Sequence, residues 1–409
     1  MKAALCLLLA LAGSALAYKS YSGYQVLQTK VLSHEETARL APLMSRPEFY
    51  FTVNPAPGRA ASIMVSPENF ALASTTLNRM RLSPKVIVED VGVIVESERS
   101  ELQQLRVAEK KEGRAPALDR FLTFEEVEAY VNEVAAAFPS LVTVENIGSS
   151  TEGRTLWVVK LSNGAGKKGI FVESGIHGRE WLGVPAALNA LNELTENLAA
   201  NQALLDANDW YFLLVANPDG YSFSFTDDRF WRKTRSPNAG STCLGTDPNR
   251  NFDISWGTEG TTDACSDTFA GAAAYSEPES KALADFLAAT PNLAAFITFH
   301  SFGGFLTYPY GYTTDLPANA QQLDDIAQAA NSAIQAVNGF QYTVGPFAST
   351  VYFSYGASRD YAYDTVGIPL VFQFELPGGG PNGFDPPASL IAPTVAEVWE
   401  GVKVIAASA

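Results

Sequence analysis

Three runs of this chain, Gly169–Glu173, Ala294–Phe299 and Pro369–Phe374, are apolar at nearly every position instead of at alternate ones. A strand of that kind buries both faces, so it belongs in a sheet covered by helices on either side. Further strands are expected at Val142–Ile147, Thr155–Leu161 and Trp210–Ala216. Helices are expected at Pro185–Leu198, Glu277–Ala288, Ala318–Val337 and Ile391–Ile405, the third closed by Gly339. Thr123 and Glu126 form the reciprocal capping arrangement that opens another helix, which ends before Pro139. Together these elements predict an α/β unit with a mostly parallel or mixed sheet. In such sheets ligands bind beyond the carboxyl ends of the strands.

Those ends carry chemistry. His177 and Glu180 follow the first run in Gly175-Ile176-His177-Gly178-Arg179-Glu180-Trp181, His300 ends the second, and Glu375 follows the third. An imidazole nitrogen and a carboxylate oxygen are ordinary zinc ligands, and a catalytic zinc takes three of them plus an open position. A lone His-x-x-Glu also arises by chance, as a loop histidine beside a solvated acid. The convergence of three strand ends weighs against that bland reading. The chain has three histidines, His34, His177 and His300.

Residues 1–17 read as a secretory signal: Lys2, an apolar core from Ala3 to Leu11, then Ala15-Leu16-Ala17 as the small-x-small cleavage site. No other stretch has the roughly 18 unbroken apolar residues of a membrane span. A secreted, extracellular, monomeric protein is expected. Cys6 leaves with the signal, and the remaining Cys243 and Cys265 most simply pair in an oxidising compartment; shared metal ligation is the alternative. No Asn-x-Ser/Thr acceptor occurs.

From Tyr18 to Arg114 the chain holds 13 basic and 11 acidic residues, while Ala115 onward holds 14 basic and 33 acidic ones. The acidic balance excludes a nucleic-acid partner, which needs a basic face. The first segment shows strand-like alternation at Gly23–Thr29 and Lys85–Glu96, with helical stretches at His34–Met44 and Pro67–Leu77. It ends in a polar run, Glu98 to Arg114, of the kind a trypsin-like protease cuts. A removable pro-domain (18–114) before a larger domain (115–409) is the expected organisation, against an ordinary domain that stays attached.

Five separated motifs closely resemble the zinc metallocarboxypeptidases of the pancreatic A/B type. They are the Gly175–Trp181 stretch, Phe230–Ser236, Asp247-Pro-Asn249-Arg250-Asn251-Phe252, His300-Ser301 with Tyr308–Tyr312, and Phe374-Glu375-Leu376. The resemblance spans nearly the whole chain. It implies an antiparallel α/β pro-domain followed by a mixed eight-stranded sheet sandwiched by helices. It also implies release of one amino acid from the C-termini of peptides or proteins by an enzyme made latent.

On that resemblance His177, Glu180 and His300 would hold one zinc ion, and Asp247 would orient His177 from behind. Glu375 would be the general base, its pKa raised by Phe372, Phe374 and Leu376. Arg235 would face the carbonyl oxygen as charge develops, although Arg232-Lys233-Thr234-Arg235 also reads as a solvated basic patch. Asn249, Arg250 and Tyr352 would grip the terminal carboxylate through planar, charge-assisted bonds. Arg179, Ser301 and Phe384 would contact the substrate further out.

Three positions depart from the family pattern. Phe302 stands where tyrosine is usual, after a Ser301 bond that is often cis. Gly178 replaces a serine, a change expected to be tolerated. Arg359 occupies a pocket position that is apolar in A-type and aspartate in B-type enzymes. A guanidinium there predicts preference for C-terminal glutamate or aspartate. The alternatives are an A-type aromatic or aliphatic preference, with Arg359 turned to solvent or, less expected for helix neighbours, paired with Asp360. From a different class, a non-catalytic protein that captures peptide C-termini is opposed by the intact ligands and Glu375. A serine or cysteine hydrolase would lack a free histidine base.

Overall fold

Gln25–Gln28 (β1), Tyr50–Val53 (β2), Ser62–Val65 (β3) and Lys85–Val88 (β4) build an antiparallel sheet in the order β2-β3-β1-β4. The computed structural model describes residues 18–46, 48–112, 118–258, 262–378 and 383–409. The signal at 1–17 and the cleavage point at Arg114 lie outside the described residues. Leu27, Ile63 and Val65 face His34–Leu40 (α1) and Phe70–Arg79 (α2), meeting Leu40, Ala73 and Leu77 in one cluster. Val26, Met64 and Val88 face the other way and pack against Phe230 and Phe384 of the larger unit.

The strand expected at Lys85–Glu96 stops at Val88. Val91–Glu112 (α3) is helical instead, and it buries Val91, Val95 and Leu102 along one face. The four-residue strands β2 and β3 were not foreseen, being too short to show a period.

The larger unit holds an eight-stranded mixed sheet. Its strands are Val142–Ser149 (β5), Thr155–Leu161 (β6), Lys168–Ser174 (β7), Asn208–Leu213 (β8), Leu293–Ser301 (β9), Phe305–Tyr308 (β10), Thr343–Pro346 (β11) and Leu370–Leu376 (β12). Their order is β11-β10-β12-β9-β7-β8-β6-β5. Strands β12, β9, β7 and β8 run parallel in the centre, where the apolar runs fall. Ile170 and Val172 bury on one face with Ala320–Asn338 (helix packing through Leu323 and Ile334), while Phe171 buries on the other with Leu283 and Leu287. Both faces of the sheet are therefore covered.

Two sequence expectations shift. The strand placed at Trp210–Ala216 begins and ends earlier, as β8, and the helix placed at Pro185–Leu198 runs Gly183–Glu193, with a second helix at Leu198–Ala207. Gly339 closes its helix at φ 85°, a conformation that costs glycine little. Cys243 and Cys265 form a disulfide with Cα atoms 5.1 Å apart. Among the described residues no helix is long and apolar enough to cross a membrane.

Candidate active site

Parallel register sets the site. Glu375 on β12 lies opposite His300 on β9, and Ser174 at the end of β7 lies opposite Phe299. Three neighbouring strands thus deliver their C-terminal ends to one point. The loop after β7 turns there because Gly175 adopts φ 64° with Val215 Cα 3.1 Å from where a Cβ would sit.

His177, Glu180 and His300 come together in the interior, their ligand-type atoms within 4.8 Å of one another. Nδ1 of His177 is 2.7 Å from Glu180 Oε1, and Nδ1 of His300 is 2.9 Å from Oε2 and 3.2 Å from the other Nδ1. Behind His177, Asp247 Oδ1 lies 3.1 Å from Nε2. A carboxylate can only accept, so Nε2 carries the hydrogen and the Nδ1 lone pair faces the other two donors. Burial opposes ionisation of Asp247, yet Arg232 and His177 hold its carboxyl well below the usual range. Two imidazole nitrogens and a carboxylate in this arrangement fit zinc and leave one coordination position.

Arg232 was not singled out by sequence reasoning, yet it lines the same cleft. It donates to Asp247 Oδ2 from Nε at 3.0 Å and Nη2 at 2.8 Å, and from Nη1 to Glu180 Oε1 at 3.3 Å. Arg235 is elsewhere. Its guanidinium rests 3.6 Å from the Phe223 ring centroid and 4.5 Å from that of Trp231, and Nε approaches Glu152 at 3.7 Å. The role expected of Arg235 is therefore not available at that position. In the sequence both arginines stand in one basic cluster, Arg232-Lys233-Thr234-Arg235, which does not distinguish them.

A cavity of about 700 Å³ contains His177, Glu180, His300, Arg179, Arg232, Asn249, Arg250, Ser301, Tyr352, Arg359, Glu375 and Phe384 in its lining. Burial pushes Glu375 up to about 7. The Asn249 amide sits 3.3 Å from His300 Nε2, and its Oδ1 accepts from the Ser358 backbone at 2.8 Å. Arg250 donates to the Asn249 carbonyl at 2.8 Å and reaches the Tyr352 hydroxyl at 3.5 Å. Phe384 meets Phe302 edge-on at 4.9 Å and lies under Arg179 at 4.3 Å. The Ser301–Phe302 peptide is cis. Gly178 is tightly enclosed: a Cβ there would fall 2.3 Å from the Gly220 carbonyl, so in this chain the position admits glycine alone.

Residues 127–401 match the sequence model of the family described as zinc carboxypeptidase. The chain belongs to that family. Carboxypeptidase A2 of Rattus norvegicus is 37% identical over 407 residues, covering 98% of this chain and 97% of its own. Carboxypeptidase B of Helicoverpa zea is 35% identical over 404 residues, covering 95% and 94%. The crystal structure of carboxypeptidase A from Helicoverpa armigera superposes with a TM-score of 0.88 at 33% identity, covering 96% of this chain and 99% of that one. This carboxypeptidase is a peptide hydrolase, and zinc is its cofactor, for which the His177, Glu180 and His300 donor set is suited.

Arg359 is almost fully buried, which excludes the outward-turned alternative. Its Nη1 donates to Gln373 Oε1 at 2.6 Å, Nη2 to Ser354 Oγ at 2.6 Å, and Nε and Nη2 to Asp360 at 3.3 and 3.1 Å. The guanidinium also stacks on Phe347 at 3.7 Å. The pairing with Asp360, which the helix rule disfavours, is present. The rule describes ideal helices, whereas Ser358–Asp360 is one short turn leading into a wider one at Tyr361–Thr365.

Proposed function

We propose that the chain is a secreted, monomeric pro-enzyme, comprising a signal (1–17), a pro-domain (18–114) and a catalytic domain (115–409). Its mature form removes C-terminal glutamate or aspartate. When bound, zinc supplies a water acidic enough to give hydroxide near neutral pH. Glu375 takes the proton at Oε2, since Oε1 accepts from Gln373 at 2.7 Å, and returns it to the leaving amine. Arg232, in place of Arg235, offers its fixed charge to the carbonyl oxygen. Asn249, Arg250 and Tyr352 clamp the substrate's terminal carboxylate, with Arg179, Ser301 and Phe384 beyond it.

The observation that carries the specificity is the buried Arg359 guanidinium in the cavity lining. An apolar side chain arriving there would leave Arg359 with internal partners only. A carboxylate would add a charged partner to the guanidinium beside neutral Gln373 and Ser354, an advantage of about ten- to two-hundredfold in kcat/KM. One observation favours the A-type alternative: Asp360 already neutralises the guanidinium. Against it, Asp360 does not serve the guanidinium alone, because both of its oxygens also accept the Gly311 backbone N–H. The test is kcat/KM for matched peptides ending in Glu, Phe, Leu and Lys, repeated with Arg359→Ile. A Glu/Phe ratio above one that collapses in the variant supports the acidic preference; a wild-type ratio below one ends it.

Latency is supported by the cavity itself. Phe51, Val53, Asn54 and Arg59 of the first unit line it together with His177 and Glu375, and the Tyr50 hydroxyl hydrogen-bonds Arg179. The seam is further tied by Arg229, fully buried, which donates to Glu98 of α3 at 2.5 Å. Trypsin cleavage near Arg114 is expected to raise turnover of small substrates. Equal activity of the cut and uncut chains would exclude a latent form.

A further inference from the structure

Gln373 and Glu375 are two residues apart on β12, so their side chains leave the strand on the same face. Phe372 and Phe374 bury in the core on the opposite face. Both Gln373 and Glu375 line the cavity together with Arg359. Arg359 Nη1 donates to Gln373 Oε1 at 2.6 Å, and Gln373 Nε2 donates to Glu375 Oε1 at 2.7 Å. The orientation of the amide is forced by chemistry, because a guanidinium can only donate and a carboxylate only accept. A primary amide meets both demands at once while adding no charge between them. Gln373 itself is 2% exposed, so water does not compete for either bond.

We propose that Gln373 is a positioning residue that ties the pocket guanidinium to the catalytic carboxylate. Arg359 then has two tasks: it reads the substrate's terminal side chain and, through Gln373, fixes the rotamer of Glu375. The guanidinium is itself anchored by Asp360, Ser354 and the Phe347 ring. Held at Oε1 from that anchor, Glu375 presents Oε2 towards the reacting water. This rests on the reading of Glu375 as the base. It gives a result that a simple specificity pocket does not: replacing Arg359 slows the chemical step even for substrates whose side chain never needed the charge.

The experiment is a double-mutant cycle of Gln373→Met and Arg359→Met in the activated holoenzyme, with a Phe-ended substrate. Each single change is expected to lower kcat about tenfold, since a misplaced catalytic group costs up to about a hundredfold. The double variant is expected to be no slower than the worse single one, because both cut the same chain of bonds. For Gln373→Met, KM, zinc content and calorimetric binding of free phenylalanine are expected to stay within about twofold. Multiplying losses, an unchanged kcat in Gln373→Met, or a parallel loss of phenylalanine binding would each overturn the tie. Glu375→Gln separates the two levels: loss of its turnover with full kcat in Gln373→Met overturns the tie alone, whereas retained turnover overturns the base.

Discussion

Arg359 and Asp360, neighbours in sequence, form an ion pair inside the protein, with Nη2 3.1 Å from Oδ2 and both side chains almost wholly buried. Asp360 also accepts the Gly311 backbone N–H at 3.0 Å. Asp360→Asn keeps an acceptor for that N–H but removes the internal anion. The Glu/Phe ratio of kcat/KM is expected to rise about tenfold, as the substrate becomes the only anion at the guanidinium. Stability is expected to fall by about 3 kcal/mol, in line with breaking a buried pair, read as a lower denaturant midpoint. A falling ratio would mean that Asp360 helps to present Arg359 to the substrate.

Gly311 makes room for the same guanidinium. A Cβ at this position would lie 1.7 Å from Arg359 Nη2 and 2.6 Å from Ser354 Oγ. Gly311→Ala is therefore expected to push Arg359 off its partners, cost about 1–3 kcal/mol through overpacking, and erase most of the proposed preference for acidic termini. Kinetics on the Glu- and Phe-ended pair check this; an unchanged ratio would show that the guanidinium can retreat without loss of function.

A third expectation concerns pH. Glu173 on β7 is wholly buried, and burial pushes its carboxyl up to about 7 against the hydrogen bond it accepts from Ser358 at 3.0 Å. Its folded pKa lies above the unfolded value near 4.3. The stabilisation it contributes is present below that value and is lost as pH rises through about 7. The difference between the two values corresponds to about 3–4 kcal/mol. Glu173→Gln is expected to be more stable than the parent at pH 8 by up to that amount, with no gain at pH 4. Denaturant unfolding at the two pH values decides it, and a pH-independent difference would place the effect elsewhere.

Metal removal tests the donor set. His300 lies on β9, and His177 and Glu180 on the loop leaving β7, strands whose packing does not depend on an ion because they are buried on both faces. Exhaustive chelation is expected to abolish turnover, leave the far-ultraviolet dichroism unchanged and lower Tm through loss of a ligand of the folded state. Added zinc is expected to restore both. Persistent activity in metal-free protein would refute the zinc mechanism.

The central sheet was legible because its strands are buried on both faces and carry no polar alternation to confuse the reading. Strands β10 and β11 at one end of the sheet were not, since four residues give no usable period. The donor set His177, Glu180 and His300, and the place of Glu375 in the same cavity, could be read because each follows an apolar run. Arg232 was obscured by Arg235 in the same motif: a basic cluster in sequence does not say which guanidinium turns inward, and here Phe223 and Trp231 capture one while Asp247 captures the other. Gln373 gave no signal, because an alternating position inside an otherwise apolar strand identifies a face and not a partner.

The two sheets share no strand among the described residues, and no strand of one pairs with a strand of the other. The first unit also has a cluster of its own around Leu27, Ile63 and Leu77. A cut between residues 112 and 118 would therefore break no ladder and release a piece able to keep its shape. As the proposed inhibitor, such a piece would remain a ligand of the surface it left, and the freed enzyme and the fragment would enter a two-body equilibrium. Activity after cleavage would then depend on dilution as well as on the protease: slow and incomplete where the enzyme is concentrated, prompt and full once it disperses.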